Sequence, residues 1–219
     1  MKALLFPGQG SQIVGMGLEF YKNFDTAKNI FLEADNSLNF KISKIILEGP
    51  ENELKLTQNT QPAILTVSYA IYSVLKKDFN LKLNNFKYYA GHSLGEYSAL
   101  VCCGSLKFKD ALYLLYERGK AMQEAVPVGK GSMLAILGST LDEIDKFILK
   151  VSKNGVCEIA NDNANGQIII SGNTEPINEL KNILKENKIK SILLPVSAPF
   201  HCSLMQKAAE RMKEKIDPV

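Results

Sequence analysis

Arginine is nearly absent from this 219-residue chain: of 26 basic side chains only Arg118 and Arg211 are arginines. With a net charge of +3 and no basic block, the chain does not read as a nucleic-acid binder, whose phosphate and base contacts draw heavily on arginine. Histidine is equally scarce, with His92 and His201 alone. That argues against a Cys/His zinc site and confines any imidazole chemistry to two positions. The four cysteines, Cys102, Cys103, Cys157 and Cys202, show no Cys-x-x-Cys spacing and read as reduced, buried thiols of a cytoplasmic protein. No run approaches the ~18 apolar residues of a membrane span. The opening apolar stretch, which ends at Pro7-Gly8, is too short for a secretory signal. Internal repeats and low-complexity tracts are missing as well.

What is present is ordinary globular composition, 46% apolar and 22% charged. The length suits one large or two small domains at about 150 residues each. A chain of this size buries roughly 70% of its extended surface and needs no metal or disulfide to fold.

Hydrophobic spacing predicts a strand at Ala3–Phe6, followed by a small-residue loop, Pro7–Gln12. Helices are expected near Gly17–Tyr21, Thr26–Ala34 and Ile42–Leu47, and a long buried one over Asn59–Leu75. A strand at Phe86–Ala90 leads into a helix over Glu96–Cys103, and another helix spans Phe108–Glu124. After Pro127 the pattern changes. Strands at Ser132–Leu137, Val156–Asn161, Gln167–Ser171 and Ser191–Pro195 alternate with helices at Leu141–Ser152 and Glu175–Asn187. That β-α-β-β-α-β order is ferredoxin-like. A last helix is expected from His201 to about Lys215. The expected fold is therefore α/β: a hydrolase-like large domain, residues 1–126 and 198–219, carrying an inserted ferredoxin-like small domain, residues 127–197.

Gly91-His92-Ser93-Leu94-Gly95 matches Gly-x-Ser-x-Gly, the nucleophile elbow, in which a strand turns sharply into a helix and presents a serine hydroxyl. Glycines on either side permit the close approach, and the new helix points N–H groups at a developing oxyanion. The ordinary alternative is a Gly-rich turn whose serine caps a helix. Serine needs a hydrogen-bonded base. His92 is a poor candidate, because neighbours on an elbow point apart, so His201 is the candidate base; sequence alone does not place it beside Ser93. Arg118 reads either as a carboxylate-gripping fork or as a surface partner of Glu117 or Glu124. The Pro7–Gln12 loop lacks the Gly-Lys-Ser/Thr of a P-loop and suits either a plain connection or a backbone donor to an oxyanion hole.

Taken together, FPGQGSQ (Phe6–Gln12), TQPA (Thr60–Ala63), GHSLGEYSALV (Gly91–Val101), RGKAMQEAVP (Arg118–Pro127), NGQIIISG (Asn165–Gly172) and PVSAPFH (Pro195–His201) resemble the malonyl-CoA:acyl carrier protein transacylase family, in family order along essentially the whole chain. The resemblance implies that Ser93 carries the malonyl ester and that His201 is its base. It implies backbone N–H groups of Gln9 and Leu94 as the oxyanion hole, and Arg118 as the residue gripping the malonyl carboxylate. It implies transfer from malonyl-CoA to acyl carrier protein in fatty-acid biosynthesis, with no metal and no cofactor beyond the CoA substrate, and a monomer when full-length. Phe200 would narrow the pocket against methylmalonyl groups. Lys207, Lys213 and Lys215 are either a solvated face or a steering surface for an acidic carrier protein.

Family members continue beyond Val219, so the resemblance also implies a chain short of its C-terminal part, including a carbonyl that would orient the histidine. Uncovered apolar surface and a melt no higher than the usual mesophile range, below ~65 °C, are expected on that ground. Three further readings stay open: a discrete acyltransferase of a polyketide synthase, a serine hydrolase, and a catalytically incomplete fragment.

Overall fold

The structure is a computed structural model. It describes every residue except Met1, Val128, Ser197 and Pro218, and the side chain of Asn84. The chain forms two compact units, Met1–Lys120 with Lys215–Val219, and Ala121–Glu214.

The first unit contains β1 (Ala3–Phe6), α1 (Leu18–Asn23), α2 (Asp25–Leu38), α3 (Ile42–Glu48), α4 (Glu51–Lys55), α5 (Thr57–Lys77), β2 (Tyr88–Gly91), α6 (Gly95–Cys103) and most of α7 (Phe108–Glu124). Strands β1 and β2 pair in parallel, with Phe6 opposite Gly91. Helix α5 is central. Ala63, Ile64, Leu65, Val67, Ala70 and Val74 are buried along it, against Phe31 of α2, Ile42 and Ile46 of α3 and Leu112 and Leu115 of α7. Its first turn is polar yet buried, because it closes the end of α4: Asn59 donates to the Glu53 carbonyl (2.9 Å) and Thr60 to that of Leu54 (2.5 Å). Those carbonyls are among the groups a helix end leaves without an internal partner. The single turn of α4, held by a Lys55–Glu51 pair, carries too few apolar residues for periodicity to reveal. Beside β1 runs an apolar groove of about 340 Å³, lined by Leu4, Phe6, Val67 and Tyr72 among others. Leu5 is 77% exposed.

The second unit contains β3 (Gly131–Leu137), α8 (Leu141–Val151), β4 (Cys157–Ala164), β5 (Gln167–Asn173), α9 (Thr174–Glu186), β6 (Lys190–Leu193) and most of α10 (Gln206–Ile216). The strands form one antiparallel sheet in the order β4-β5-β3-β6, the β-α-β-β-α-β succession read from the sequence. Strand residues alternate between faces. Leu134, Ile136, Ile168 and Ile170 therefore meet α8 and α9 through Ile144, Ile148, Ile177, Leu180 and Leu184. Met133, Ala135 and Ile169 face the other way, onto Ala121, Met122, Val126, Ala198, Phe200, Met205 and Ala208. This second apolar face explains where the compact unit ends. The compact unit takes in the segments that cover it, from Ala121 to Glu214; the expected division falls at 126/127 and 197/198. Ser197 lies outside the described residues.

The last helix also differs from expectation. His201 does not start it. A turn through Pro199–Cys202 and a 3-10 segment, Ser203–Met205, precede α10. The expectation of buried thiols is not met by exposed Cys103 and half-buried Cys202. Among the described residues no helix is long and apolar enough to cross a membrane.

Candidate active site

Ser93 sits between β2 and α6 with φ +53°. A non-glycine residue in this left-handed region costs about 1–2 kcal/mol, so the surroundings must enforce it. The two flanking glycines do so. A Cβ on Gly91 would lie 1.9 Å from the Gly95 carbonyl carbon, and one on Gly95 would lie 2.5 Å from the Phe6 carbonyl oxygen. The turn is thus pressed against itself and against the end of β1, and His92 N–H donates to the Phe6 carbonyl (3.1 Å). The N–H groups of Gly95, Glu96 and Tyr97 donate to the carbonyls of His92, Ser93 and Leu94. Those of Gln9 and Leu94 make no hydrogen bond among the described residues. The Gln9 loop is anchored on two sides. Its side-chain amide donates to Thr57 Oγ1 at the start of α5 (3.3 Å), and neighbouring Gly8 is close enough that a Cβ there would lie 2.5 Å from His92 Nδ1.

Arg118 joins this neighbourhood. One guanidinium nitrogen donates to Ser93 Oγ (3.1 Å) and the other to Gln61 Oε1 (2.6 Å). Helix α7 reaches this far because of Gly119, where a Cβ would lie 2.4 Å from Gln58 Cα. Glycine lets α7 cross directly over the first turn of α5, and the crossing sets Arg118 on Gln61. The surface-pair reading of Arg118 does not hold: Glu117 pairs with Lys120 (3.4 Å) and Lys215 (4.0 Å), and Glu124 with Arg211 (2.6 Å). Among the described residues no carboxylate is ion-paired with Arg118. Burial pulls its pKa below the usual arginine value, against the opposite pull of Tyr97 and Glu96. An arginine stays cationic nonetheless.

Gln61 is fully buried, a partner of Arg118 that the TQPA stretch contains without marking. Its signal was available: a buried amide in a helix needs a polar partner, and Arg118 is the chain's one arginine in an apolar helical pattern.

His201 and Phe200 lie in the second unit. His201 is exposed, with φ +60°. Phe200 is 5% exposed and packs in the cluster with Met133, Ala135 and Met205. Among the described residues no group of three or more His, Cys, Asp or Glu could hold a metal ion. Of the lysines on α10, Lys215 is engaged with Glu117 and with the Tyr113 hydroxyl (3.0 Å), while Lys207 and Lys213 are exposed.

The profile of the acyl transferase domain family matches residues 3–218. The malonyl CoA-acyl carrier protein transacylase of Bacillus subtilis is 48% identical over 222 residues, an alignment covering 98% of this chain and 67% of that protein. The crystal structure of an acyl-carrier-protein S-malonyltransferase from Bartonella henselae superposes with a TM-score of 0.96 at 44% identity, covering 100% of this chain and 70% of that one. A malonyl-transacylase solved in complex with a type II polyketide acyl carrier protein gives 0.94 at 39% identity, covering 99% and 70%. The chain thus spans about two thirds of the length of these relatives.

Proposed function

This chain belongs to the acyl transferase domain family, and from that premise we propose that it moves a malonyl group from malonyl-CoA to the phosphopantetheine thiol of acyl carrier protein, in fatty-acid synthesis. One observation carries the reading. A partly buried guanidinium donates to the nucleophilic hydroxyl and to a neutral amide, with no carboxylate ion-paired to it among the described residues. An acyl group bearing its own carboxylate supplies the missing anion, and a neutral acetyl group leaves the cation without one, which is costly where solvent is partly excluded.

In the first half-reaction Ser93 Oγ attacks the thioester carbonyl while His201 takes the hydroxyl proton. The oxyanion is held by the N–H groups of Gln9 and Leu94. Collapse breaks the C–S bond, and the CoA sulfur leaves with the proton from His201. In the second half the carrier thiol gives its proton to His201 and attacks the malonyl ester. Ser93 Oγ departs and recovers the proton. Every atom balances among serine, histidine and thiol, so neither a metal nor a redox cofactor enters. The arrangement that accompanies this reading is a hydrolase-like large domain with the four-stranded unit inserted, acting in the cytoplasm.

The test is malonylation of holo acyl carrier protein with malonyl-CoA and acetyl-CoA in competition. Malonyl transfer should dominate. Equal use of both donors, or release of free malonate without any carrier, would contradict the reading. A polyketide carrier is the second reading, favoured by the 39% identical relative solved with one, and relative rates with the two carriers separate them.

A further inference from the structure

We propose that Glu158 is a positioning residue for His201. The inference rests on the reading of His201 as the base. The turn carrying this histidine enters a 3-10 segment whose preceding residue, Cys202, makes no side-chain cap. The start of a helical segment leaves N–H groups without partners, and here the partner comes from 45 positions away. Glu158, on β4, accepts from Ser203 N–H through Oε2 and from Ser203 Oγ through Oε1, both at 2.7 Å. Carboxylate acceptors make the stronger class of hydrogen bond, and two from one side chain fix direction as well as distance.

The residue two positions before this clamp is His201, with φ +60°, a conformation an L-residue adopts only when its surroundings impose it. Upstream, Pro199 is wedged on β3: a Cβ on Gly131 would lie 2.3 Å from the proline ring. Cys202 Sγ reaches back to the Pro199 carbonyl (3.2 Å). Downstream, Met205 is buried in the second-face cluster. Proline and methionine fix the two ends of the turn, and the Glu158–Ser203 pair fixes its middle, from which the imidazole is aimed. Register makes Glu158 available for this. It stands opposite Ser171 on β5, between the buried Cys157 and the partly buried Ile159.

With two histidines in the chain, isotope-labelled histidine gives two ring systems to follow by NMR. Glu158→Ala should shift the His201 resonances and leave those of His92 in place. It should slow single-turnover acylation of Ser93 about tenfold, an orientation effect, with malonyl-CoA affinity within about twofold. Glu158→Gln, which keeps an acceptor, should recover most of both. Ser203→Ala, which keeps the N–H bond, should fall between, and these two milder variants decide the matter if the alanine at 158 does not fold. Unchanged His201 resonances together with an unchanged acylation rate overturn the proposal. A parent chain that does not acylate at all contradicts the functional reading instead, while the resonances still decide whether Glu158 sets the histidine.

Discussion

Ser93 and His201 are both non-glycine residues in left-handed backbone, at +53° and +60°, and each unit holds its own by different physics. The serine is held by contact. Gly91 and Gly95 press the elbow against itself and against β1 at distances where no Cβ fits, so the shape follows from what the side chains lack. The histidine is held by a proline wedge and by polar bonds at an exposed turn. Steric enforcement is all-or-none, because interiors do not stretch to take an extra carbon. Polar enforcement is graded, because one bond can be weakened without removing the rest. The nucleophile should therefore tolerate almost no local change, and the base should respond in steps.

The largest effect expected is at the first of these sites. Gly91→Ala should cut the rate of Ser93 acylation at least about 100-fold, the scale of an ångström-level misplacement. Rapid-quench measurement retaining more than a tenth of the parent rate would show that the elbow is not held by contact. Next is Gln61→Glu, which puts a carboxylate of the protein's own against Arg118. Malonyl-CoA then meets a cation already neutralised, and its advantage over acetyl-CoA should fall by at least about tenfold. An unchanged preference in a competition assay would remove Gln61 from the specificity account. In the second unit, Phe200→Ser should admit methylmalonyl-CoA a few-fold better. It should also cost about 3 kcal/mol of stability from the emptied packing position, read as a lowered melting temperature. A lower melt with an unchanged malonyl-to-methylmalonyl ratio would make Phe200 a packing residue alone. Smallest is a difference among thiols. Burial pushes Cys102 and Cys157 up to about 12, above the usual cysteine value, so at pH 8 almost none of either is thiolate. Exposed Cys103 should alkylate first, with peptide mass mapping as the check. Faster labelling of Cys157 would mean that the second unit opens readily.

The same contrast explains what the sequence made legible. The elbow was readable because contact enforcement is written in adjacent glycines, and strand β1 and helix α7 were found at their observed limits. The four strands of the second unit were placed because their apolar runs are bounded by turns at Gly155 and Asn165-Gly166. The second face of that sheet is covered by Ala121–Val126 and Ala198–Ala208, segments far apart in sequence whose apolar residues read equally well as part of the first unit. The start of the last helix was misplaced at His201. Pro199 looks like a helix-opening proline, and nothing local announces a left-handed residue two positions on. Gln61 and Glu158 act through partners 57 and 45 positions away, and periodicity carries no information about such pairs.

The central claim is that a serine on a sterically fixed elbow, beside an arginine with no carboxylate partner among the described residues, takes up a malonyl group. Intact-mass analysis after brief mixing with malonyl-CoA tests it most directly, with Ser93→Ala alongside. The account predicts one malonyl adduct on the parent chain, mapped to Ser93, and none on the variant. A folded parent that stays unmodified, or an adduct that survives Ser93→Ala, would contradict it.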